Sequence, residues 1–213
     1  MTILTTTNGG KFNLTDPKPE QVFLDDIAHG LASQNRFIGR TRPCWSVAQH
    51  SLLCAELAGV MHQDDPGLVM AALLHDAHEA YIGDIATPVV QAIDKLHPGT
   101  ASVLHDMKCL LDDTIFDALD VPEAAFYLGT ETLKRIDAIA LSVEKNLLLD
   151  TKDSWPCDRV WSEITPAQFA AIGKLMPGTV QTALNLNFDE QVMKFIDRFN
   201  RLSLVLSDTR EAA

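Results

Sequence analysis

The sequence predicts an all-α protein with the architecture of a helical bundle. Signals that start helices recur along the chain, whereas the alternation of apolar and polar residues that marks a half-buried strand is nearly absent. With 213 residues, of which 46% are hydrophobic, the chain is long enough for one well-buried core. No internal repeat and no Gly/Ser linker divides it, so we expect a single domain over residues 1–213.

The first elements follow from composition and capping. Residues 1–20 are polar and contain two prolines, which predicts an extended arm. Apolar residues at helical spacing then predict a helix over about 22–34. Ser46 with Gln49 three positions later has the pattern of a capping box, and it predicts a helix over about 47–62.

Proline-containing start signals predict most of the remaining helices. Asp65 followed by Pro66 places a good N-cap before a proline at the first helical position, and it begins a helix that we expect to continue through Tyr81. We assign no role to the final segment, residues 151–213. Similar signals predict a short helix that begins at Thr87–Pro88 and another over about 101–118. Pro122 and then Thr130 introduce a long helical segment that ends at Leu149, and two final helices begin at Thr165–Pro166 and at Asp189.

Charge and cysteine usage exclude several classes of function. A net charge of −12 disfavours binding to nucleic acid or to an anionic membrane, because both require a cationic face. No apolar run approaches the ~20 residues that span a bilayer, and the first ten residues lack the features of a signal peptide. The four cysteines show no C-x-x-C spacing, which is typical of a reducing compartment. We therefore expect a soluble cytoplasmic protein.

Adjacent His75 and Asp76 are the most informative residues in the chain. They follow a run of apolar residues, 70–74, that would otherwise belong to a plain buried helix. An ionised carboxylate in such a setting is costly unless a positive group meets it. Imidazole and carboxylate together suit a divalent ion such as Zn, Mn, Fe, Co or Ni.

Further polar residues inside apolar helices extend this candidate site. On an ideal helix, Glu79 lies only ~40° in azimuth from His75, so both share a face with Asp76. His50 occurs on the preceding helix, which a short loop makes a natural antiparallel neighbour. Asp137 is embedded in another apolar helical stretch. Together, these residues predict a metal site made of two histidines (His50 and His75) and two carboxylates (Asp76 and Asp137).

This pattern resembles the H…HD…D signature of the HD-domain metal-dependent phosphohydrolases. The similarity covers residues from about 22 to 150, and it is nearest to the YfbR-type 5′-deoxynucleotidases and to phage deoxyadenosine triphosphatases. The matching blocks are Asp26–His29, Asn35–Thr41, Ser46–Ser51, His75–Glu79 and Gly83–Pro88.

The resemblance implies a role for each matching residue. Glu79 corresponds to the acidic residue beside the reacting phosphate, and Asp84 to a carboxylate that supports the metal or binds a second one. Arg36 corresponds to the arginine that grips the phosphate. Phe37 stands where many relatives carry the tryptophan that stacks on the sugar and selects deoxyribose. The implied ligands of a divalent ion (Co, Mn, Zn, Ni, Fe or Mg) are His50, His75, Asp76 and Asp137.

The chemistry of the residues agrees with this resemblance. Arginine offers paired donors that suit phosphate oxygens, and Arg40 and Arg42 stand close behind Arg36 as further substrate-binding candidates. We expect hydrolysis of a deoxyribonucleoside triphosphate to the deoxynucleoside and triphosphate. The alternative substrate is a deoxyribonucleoside monophosphate. We also expect a homo-oligomer.

Two other functions remain open at the level of sequence. A di-iron HD oxygenase would use additional histidines, and His78 is the nearest candidate, although helical geometry makes it a pocket-edge or structural residue. A regulatory HD domain would bind a ligand without turning it over. Such domains commonly lose metal ligands, whereas all four are present here.

Overall fold

A computed structural model describes residues 2–211 of the chain, and within that range helices supply almost all of the secondary structure. The all-α class and the helical bundle predicted from the sequence are therefore confirmed. Short 3₁₀ turns occur at Pro19–Gln21, Arg36–Gly39 and Pro156–Ser162. The helices are α1 (Leu24–Ser33), α2 (Val47–Met61), α3 (Pro66–Leu74), α4 (Glu79–Ile82), α5 (Thr87–Leu96), α6 (Thr100–Ala118), α7 (Pro122–Ala125), α8 (Glu131–Leu148), α9 (Pro166–Leu184) and α10 (Phe188–Glu211).

The N-terminal segment is more ordered than the extended arm that the sequence predicts. Strand β1 (Ile3–Thr5) pairs antiparallel with β2 (Lys11–Asn13) to form a small hairpin. Phe12, on β2, is fully buried and stacks on the ring of Tyr81 with 3.9 Å between the centroids. This aromatic contact and the bonds from the Thr7 N–H and hydroxyl to Asp26 on α1 attach the hairpin to the bundle, and the polar composition of residues 1–20 gave no sign of them.

Helices α2 and α3 form the centre of the bundle. The capping box predicted at the start of α2 is present: the Ser46 hydroxyl accepts the Gln49 backbone N–H, and the Gln49 side chain accepts the Ser46 N–H. In α3 every residue after Pro66 is buried. α2 contacts α3, α8, α9 and α10, so the helix that carries His50 is surrounded by other helices.

The helix predicted over 66–81 is interrupted, which corrects the sequence-based boundary. α3 ends at Leu74, residues 75–78 form tight turns, and helical geometry resumes at Glu79. The Nδ1 atom of His75 donates to the carbonyl oxygen of Ala72 at 2.9 Å, and the Ala77 N–H bonds the carbonyl of Leu74, three residues back. A side chain that competes for helix carbonyls in this way tightens the chain.

The C-terminal helices complete the same core. α9 packs on α2, and α10 packs on α1, α2 and α3. Polar contacts fix this arrangement at the start of α2, because Gln49 donates to the carbonyl oxygen of Ala183 at 2.6 Å and Ser46 donates to the side chain of Gln191 at 2.7 Å. Residues 151–213, to which the sequence assigned no role, thus include two helices that cover the centre of the bundle. Within residues 2–211, no helix combines the length and the apolar character needed to cross a bilayer.

A buried ion pair connects α8 to the 3₁₀ turn that follows it. Lys145 is only 3% exposed, and its ammonium group donates to Asp158 at 2.5 Å and to the carbonyl oxygen of Asp153 at 3.1 Å. Asp158 also accepts from Ser142 and from the Trp155 backbone. These bonds hold the pKa of Asp158 at about 2, so the carboxylate stays charged beside the lysine.

Removal of this carboxylate would leave the buried Lys145 charge without its partner. We expect Asp158→Ala to lower the free energy of unfolding by about 2–3 kcal/mol, less than for a fully buried ion pair, because Lys145 is buried but 21% of the Asp158 side chain is exposed. The matched control is Asp197→Ala, which removes an exposed partner of Arg201 and should cost about 1 kcal/mol or less. Urea unfolding measures both. Equal losses in the two variants would contradict the structural role of the Lys145–Asp158 pair.

Candidate metal centre and the adjoining pocket

The four side chains predicted as metal ligands converge on one point. His50 Nε2 lies 3.3 Å from His75 Nε2, 3.5 Å from Asp76 Oδ2 and 3.2 Å from Asp137 Oδ1. His75 Nε2 lies 3.3 Å from Asp76 Oδ2 and 3.9 Å from Asp137 Oδ1. Four ligands at tetrahedral bond lengths would stand about 3.3–3.6 Å apart. Four of these five separations are close to that range, and the fifth, between His75 and Asp137, is longer, so the donors could hold a single divalent transition-metal ion.

Three separate parts of the fold supply these donors. His50 lies on α2, Asp137 on α8, and His75 with Asp76 on the turns after α3. Asp137 is the most accessible of the four, with 44% of its side chain exposed, so the centre opens toward solvent beside α8. The two lysines of α8, Lys134 and Lys145, bond Glu131 and Asp158 and not Asp137.

Hydrogen bonds on the far side of each imidazole leave Nε2 available to a metal. His50 Nδ1 lies 2.6 Å from Glu144 Oε1, and His75 Nδ1 lies 2.9 Å from the carbonyl oxygen of Ala72. An ionised carboxylate and a carbonyl can only accept, so both Nδ1 atoms must carry the proton. Such outer hydrogen bonds fix the orientation of metal-binding histidines.

Glu144 is the site residue that the sequence analysis missed. It is buried on α8, where it accepts from Trp45 Nε1 at 2.9 Å and from Arg36 Nε at 3.1 Å in addition to contacting His50. Although burial opposes its charge, Arg36 and His50 hold the pKa of Glu144 below its usual value. A signal was present in the sequence: Glu144 is seven residues after Asp137, so both occupy one face of α8.

The buried thiol of Cys54 is a further potential metal ligand at this centre. Cys54 lies one turn after His50 on α2, and its Sγ is 3.5 Å from His50 Nε2. It joins His50, His75 and Asp137 in a group whose candidate ligand atoms all lie within 4.8 Å of one another. The sequence analysis placed no role on this cysteine, because its spacing matches no metal-binding cysteine motif.

The charges of the centre call for a cation. Although burial opposes the imidazolium form, the carboxylates of Asp76 and Asp137 raise the pKa of His75 to about 10. Burial and Arg36 oppose a charge on His50, but Cys54 and Glu144 raise its pKa. Both shifts reflect the negative charge collected around the two imidazoles, which a divalent ion would also neutralise.

Arg36 reaches the centre from the loop between α1 and α2. Its side chain is largely buried, with Nε on Glu144 and NH1 at 3.5 Å from Asp76 Oδ2. Phe37 follows with φ of +56° and Ile38 with +54°, a left-handed conformation that is costly for a β-branched residue. The fold thus accepts local backbone strain where it positions this arginine.

The ring of Phe37 belongs to a small aromatic group. It lies 5.7 Å from the Arg36 guanidinium and 6.3 Å from the ring of Trp155. Trp155 comes from the segment after α8, far from Phe37 in sequence. Trp155 therefore places a tryptophan ring near Phe37, the position at which the resemblance to HD-domain phosphohydrolases implies one.

Glu79 and Asp84 lie on the short segment that follows the metal-binding turns. Glu79 is 5% exposed, and burial together with the Asp76 and Asp84 carboxylates raises its pKa to about 8. Asp84 is half-buried, and burial raises its pKa as well. The side chain of Gln34 bridges this segment, donating to the Glu79 carbonyl at 2.7 Å and accepting the Asp84 N–H at 2.8 Å. Gln34 is a second residue that the sequence analysis missed.

Arg40 and Arg42 are not brought to the centre. Both are exposed on the loop before α2, and neither side chain makes a hydrogen bond or an ion pair within residues 2–211. Their predicted contact with substrate stays a prediction.

A cavity of about 470 Å³ adjoins the centre and is bordered by α6 and α8. A volume of this size accommodates a small organic ligand. Lys108 and Lys134 contribute positive charge to its walls. His78 also lines it, with Nδ1 at 2.8 Å from Asp112, but it lies close to Asp76 and Glu79, which ideal helical geometry did not predict. The remaining lining residues are His75, His105, Cys109, Asp112, Asp113, Leu128, Gly129, Leu133 and Asp137.

Comparison with known proteins finds relatives but no assigned activity. No family model matches the chain. A protein of Rhodobacter capsulatus, described as uncharacterised, is 45% identical over 94 residues, which cover 41% of this chain and 46% of that protein. The Escherichia coli K12 protein YfdR, also described as uncharacterised, is 28% identical over 207 residues, or 95% of this chain and 97% of that protein. Neither description names an activity, so the residues of the site are the basis for a functional proposal.

The role of Glu144 can be tested without touching a proposed ligand. We expect Glu144→Gln to weaken retention of a divalent ion by about 10–100-fold, because the hydrogen bond that orients His50 loses its charge. Dialysis against Zn²⁺ or Mn²⁺ followed by metal analysis measures this. Glu163→Gln, at an exposed ion pair with Arg135, is the control and should bind metal as the parent does. Undiminished retention in Glu144→Gln would show that His50 needs no such support.

Proposed function

We propose that this protein is a divalent-metal-dependent phosphohydrolase that acts on nucleotides, with deoxyribonucleoside triphosphates as its preferred substrates. The observation that carries the proposal is that donor atoms of His75, Asp76 and Asp137 all lie within 3.5 Å of His50 Nε2, in a group that could hold a metal ion. The resemblance of the surrounding motifs to HD-domain phosphohydrolases supports it. Such an ion, when bound, supplies an acidified water and polarises a phosphoryl oxygen.

In the proposed function, Arg36 binds the phosphoryl group that would meet this ion. Its NH1 lies on the Asp76 side of the centre, while Nε is held by the buried Glu144. A guanidinium fixed at one edge keeps its orientation, so the other edge can donate to phosphate oxygens with little loss of side-chain entropy. Phosphoryl transfer depends mainly on such positioning and on neutralising charge.

Glu79 is placed to move a proton. Its carboxyl group is buried beside Asp76, and its raised pKa of about 8 lies near neutral pH. An acid–base group is most effective when its pKa lies close to the working pH. Glu79 therefore suits the role of orienting the attacking water and passing a proton to the leaving oxygen.

The adjoining cavity supports a triphosphate over a monophosphate. Its lining includes His75 and Asp137 of the centre together with Lys108 and Lys134, so phosphates beyond the reacting one would meet two ammonium groups, with a bound divalent ion offsetting the aspartates of the same lining. Next to Arg36, the rings of Phe37 and Trp155 offer an apolar surface for the sugar. A ring packed where a 2′-hydroxyl would sit favours deoxyribose by excluding ribose.

An activity screen of metals against nucleotides tests the proposal. The protein, loaded with Mn²⁺, Co²⁺ or Zn²⁺, is incubated with dATP, ATP, dAMP and AMP, and the products are resolved. Triphosphate as product supports the proposed reaction, and inorganic phosphate from dAMP would support the 5′-deoxynucleotidase alternative. Nucleotide binding without turnover would favour a regulatory domain. Neither binding nor turnover would end the nucleotide proposal.

The contribution of Glu79 can be separated from binding. We expect Glu79→Gln to retain the ion held by His50, His75, Asp76 and Asp137 while kcat falls by about 100-fold or more, as expected for loss of a positioned acid–base group. Steady-state kinetics with dATP and metal analysis of the same samples measure the two effects. Glu131→Gln, at the exposed start of α8, is the matched control. A kcat within about threefold of the parent would leave Glu79 without a chemical role.

Recognition of phosphate and sugar is predicted to reside in neighbouring residues. Arg36→Ala should lower kcat/KM by an amount equivalent to about 2–4 kcal/mol, because a desolvated arginine–phosphate contact is lost.

Phe37→Ala should raise KM for dATP. It should also narrow the preference of the enzyme for dATP over ATP, which we expect to be about tenfold in kcat/KM, or ~1.4 kcal/mol, in the parent. Arg159→Ala, on an exposed part of the segment that carries Trp155, is the control. Equal hydrolysis of dATP and ATP by the parent would contradict the sugar-reading role.

A further inference from the structure

A second group of candidate ligands lies next to the first. Asp76, His78 and Glu79 each offer one donor atom, and these atoms all lie within 4.8 Å of one another. Of these residues, only Asp76 belongs to the first centre. The tight turns after α3 bring the three together, because a regular helix would point residues two positions apart to nearly opposite sides.

Two of these side chains contain a buried atom that the protein does not satisfy. His78 Nε2 and Glu79 Oε2 are inaccessible, and neither has a hydrogen-bond partner among the residues that the structure describes. The residues themselves are only 4% and 5% exposed. A buried polar atom without a partner costs about 1–3 kcal/mol. Two such atoms in one small cluster indicate that a bound species meets them.

Asp112 prepares His78 to act as a ligand. The carboxylate of Asp112, on α6, lies 2.8 Å from His78 Nδ1, which fixes the proton on Nδ1 and leaves the lone pair of Nε2 free. A carboxylate behind a histidine in this arrangement is the usual support of a metal-bound imidazole. Glu144 supports His50 in the same way in the first centre.

The sign of the local charge selects a cation as the bound species. Asp76 and Glu79 belong to the cluster, Asp84 follows on the same short segment, and the carboxylate of Asp112 lies behind His78. The Lys108 ammonium group approaches Glu79 Oε1 only to 4.0 Å, and Arg36 is engaged by Glu144 and Asp76. An anion would be repelled, and oxygen and imidazole donors together suit a divalent ion such as Mn²⁺.

We propose that Asp76, His78 and Glu79 bind a second divalent cation, with Asp76 shared between the two centres and Asp112 as a positioning residue for His78. The inference rests on the proposed function, since it takes the first centre to be a metal site. With the second ion bound, Glu79 would be an ionised ligand, and the proton transfer assigned to it above applies to the protein that holds one ion. A pair of divalent ions can hold a phosphoryl group from two sides. The second ion would also add positive charge beside a cavity that His78 and three aspartates line.

Equilibrium dialysis with Mn²⁺ as the probe tests the second site. We expect two bound ions per chain in the parent protein and one in each of His78→Ala and His50→Ala. Asp112→Asn should keep two sites but weaken one of them by about 10–100-fold. His105→Ala, which changes another histidine of the same cavity outside the cluster, is the matched control and should bind two ions. Electron paramagnetic resonance should show coupled Mn²⁺ ions in the parent and uncoupled ions in His78→Ala.

The possible outcomes separate the two proposals. One bound ion in the parent, lost in His50→Ala and unchanged in His78→Ala, would overturn the second site and leave the first standing. Two ions in both the parent and His78→Ala would overturn the assignment of His78. No bound ion in the folded parent would overturn the first centre and the proposed function with it. Thermal melts verify folding, and His78→Gln, which can still donate to Asp112, replaces His78→Ala if that variant does not fold.

Discussion

The candidate site depends on one buried carboxylate, that of Glu144. It bonds His50 on α2, Trp45 before α2 and Arg36 on the preceding loop, so α8 is connected to each of them through a single side chain. A buried charge is tolerated only when opposite charge and hydrogen bonds surround it. The position of Arg36, the orientation of His50 and the alignment of α8 with α2 are therefore mutually dependent.

The break in the helix after α3 is caused by a local hydrogen bond, and it changes which side chains lie close together at the site. His75 bonds the carbonyl oxygen of Ala72, the chain tightens, and Asp76, His78 and Glu79 come closer than a regular helix would allow. The polar residues of this segment thus reshape the backbone that presents them. Gln34 then fixes the next residues by bonding the backbone of Glu79 and Asp84.

The segment after α8 contributes to both stability and the site. Asp158 neutralises the buried Lys145, and the same turn carries Trp155 to within 6.3 Å of the Phe37 ring. α9 and α10 then cover α2 and α3. The residues after α8, in which we recognise no motif, therefore cover α2 and α3 and bring an aromatic ring close to Phe37.

The sequence by itself determined the helical class, most helix starts and the residues that meet at the centre. Local signals suffice for these, because capping acts within one turn and a carboxylate in an apolar helix is visible without the fold. Only the tertiary structure decided that Phe12 anchors a hairpin, that Arg40 and Arg42 stay in solvent, and that Glu144, Gln34, Trp155 and Asp112 support the site. Each of these outcomes depends on a partner distant in sequence, and periodicity within one element carries no information about such a partner.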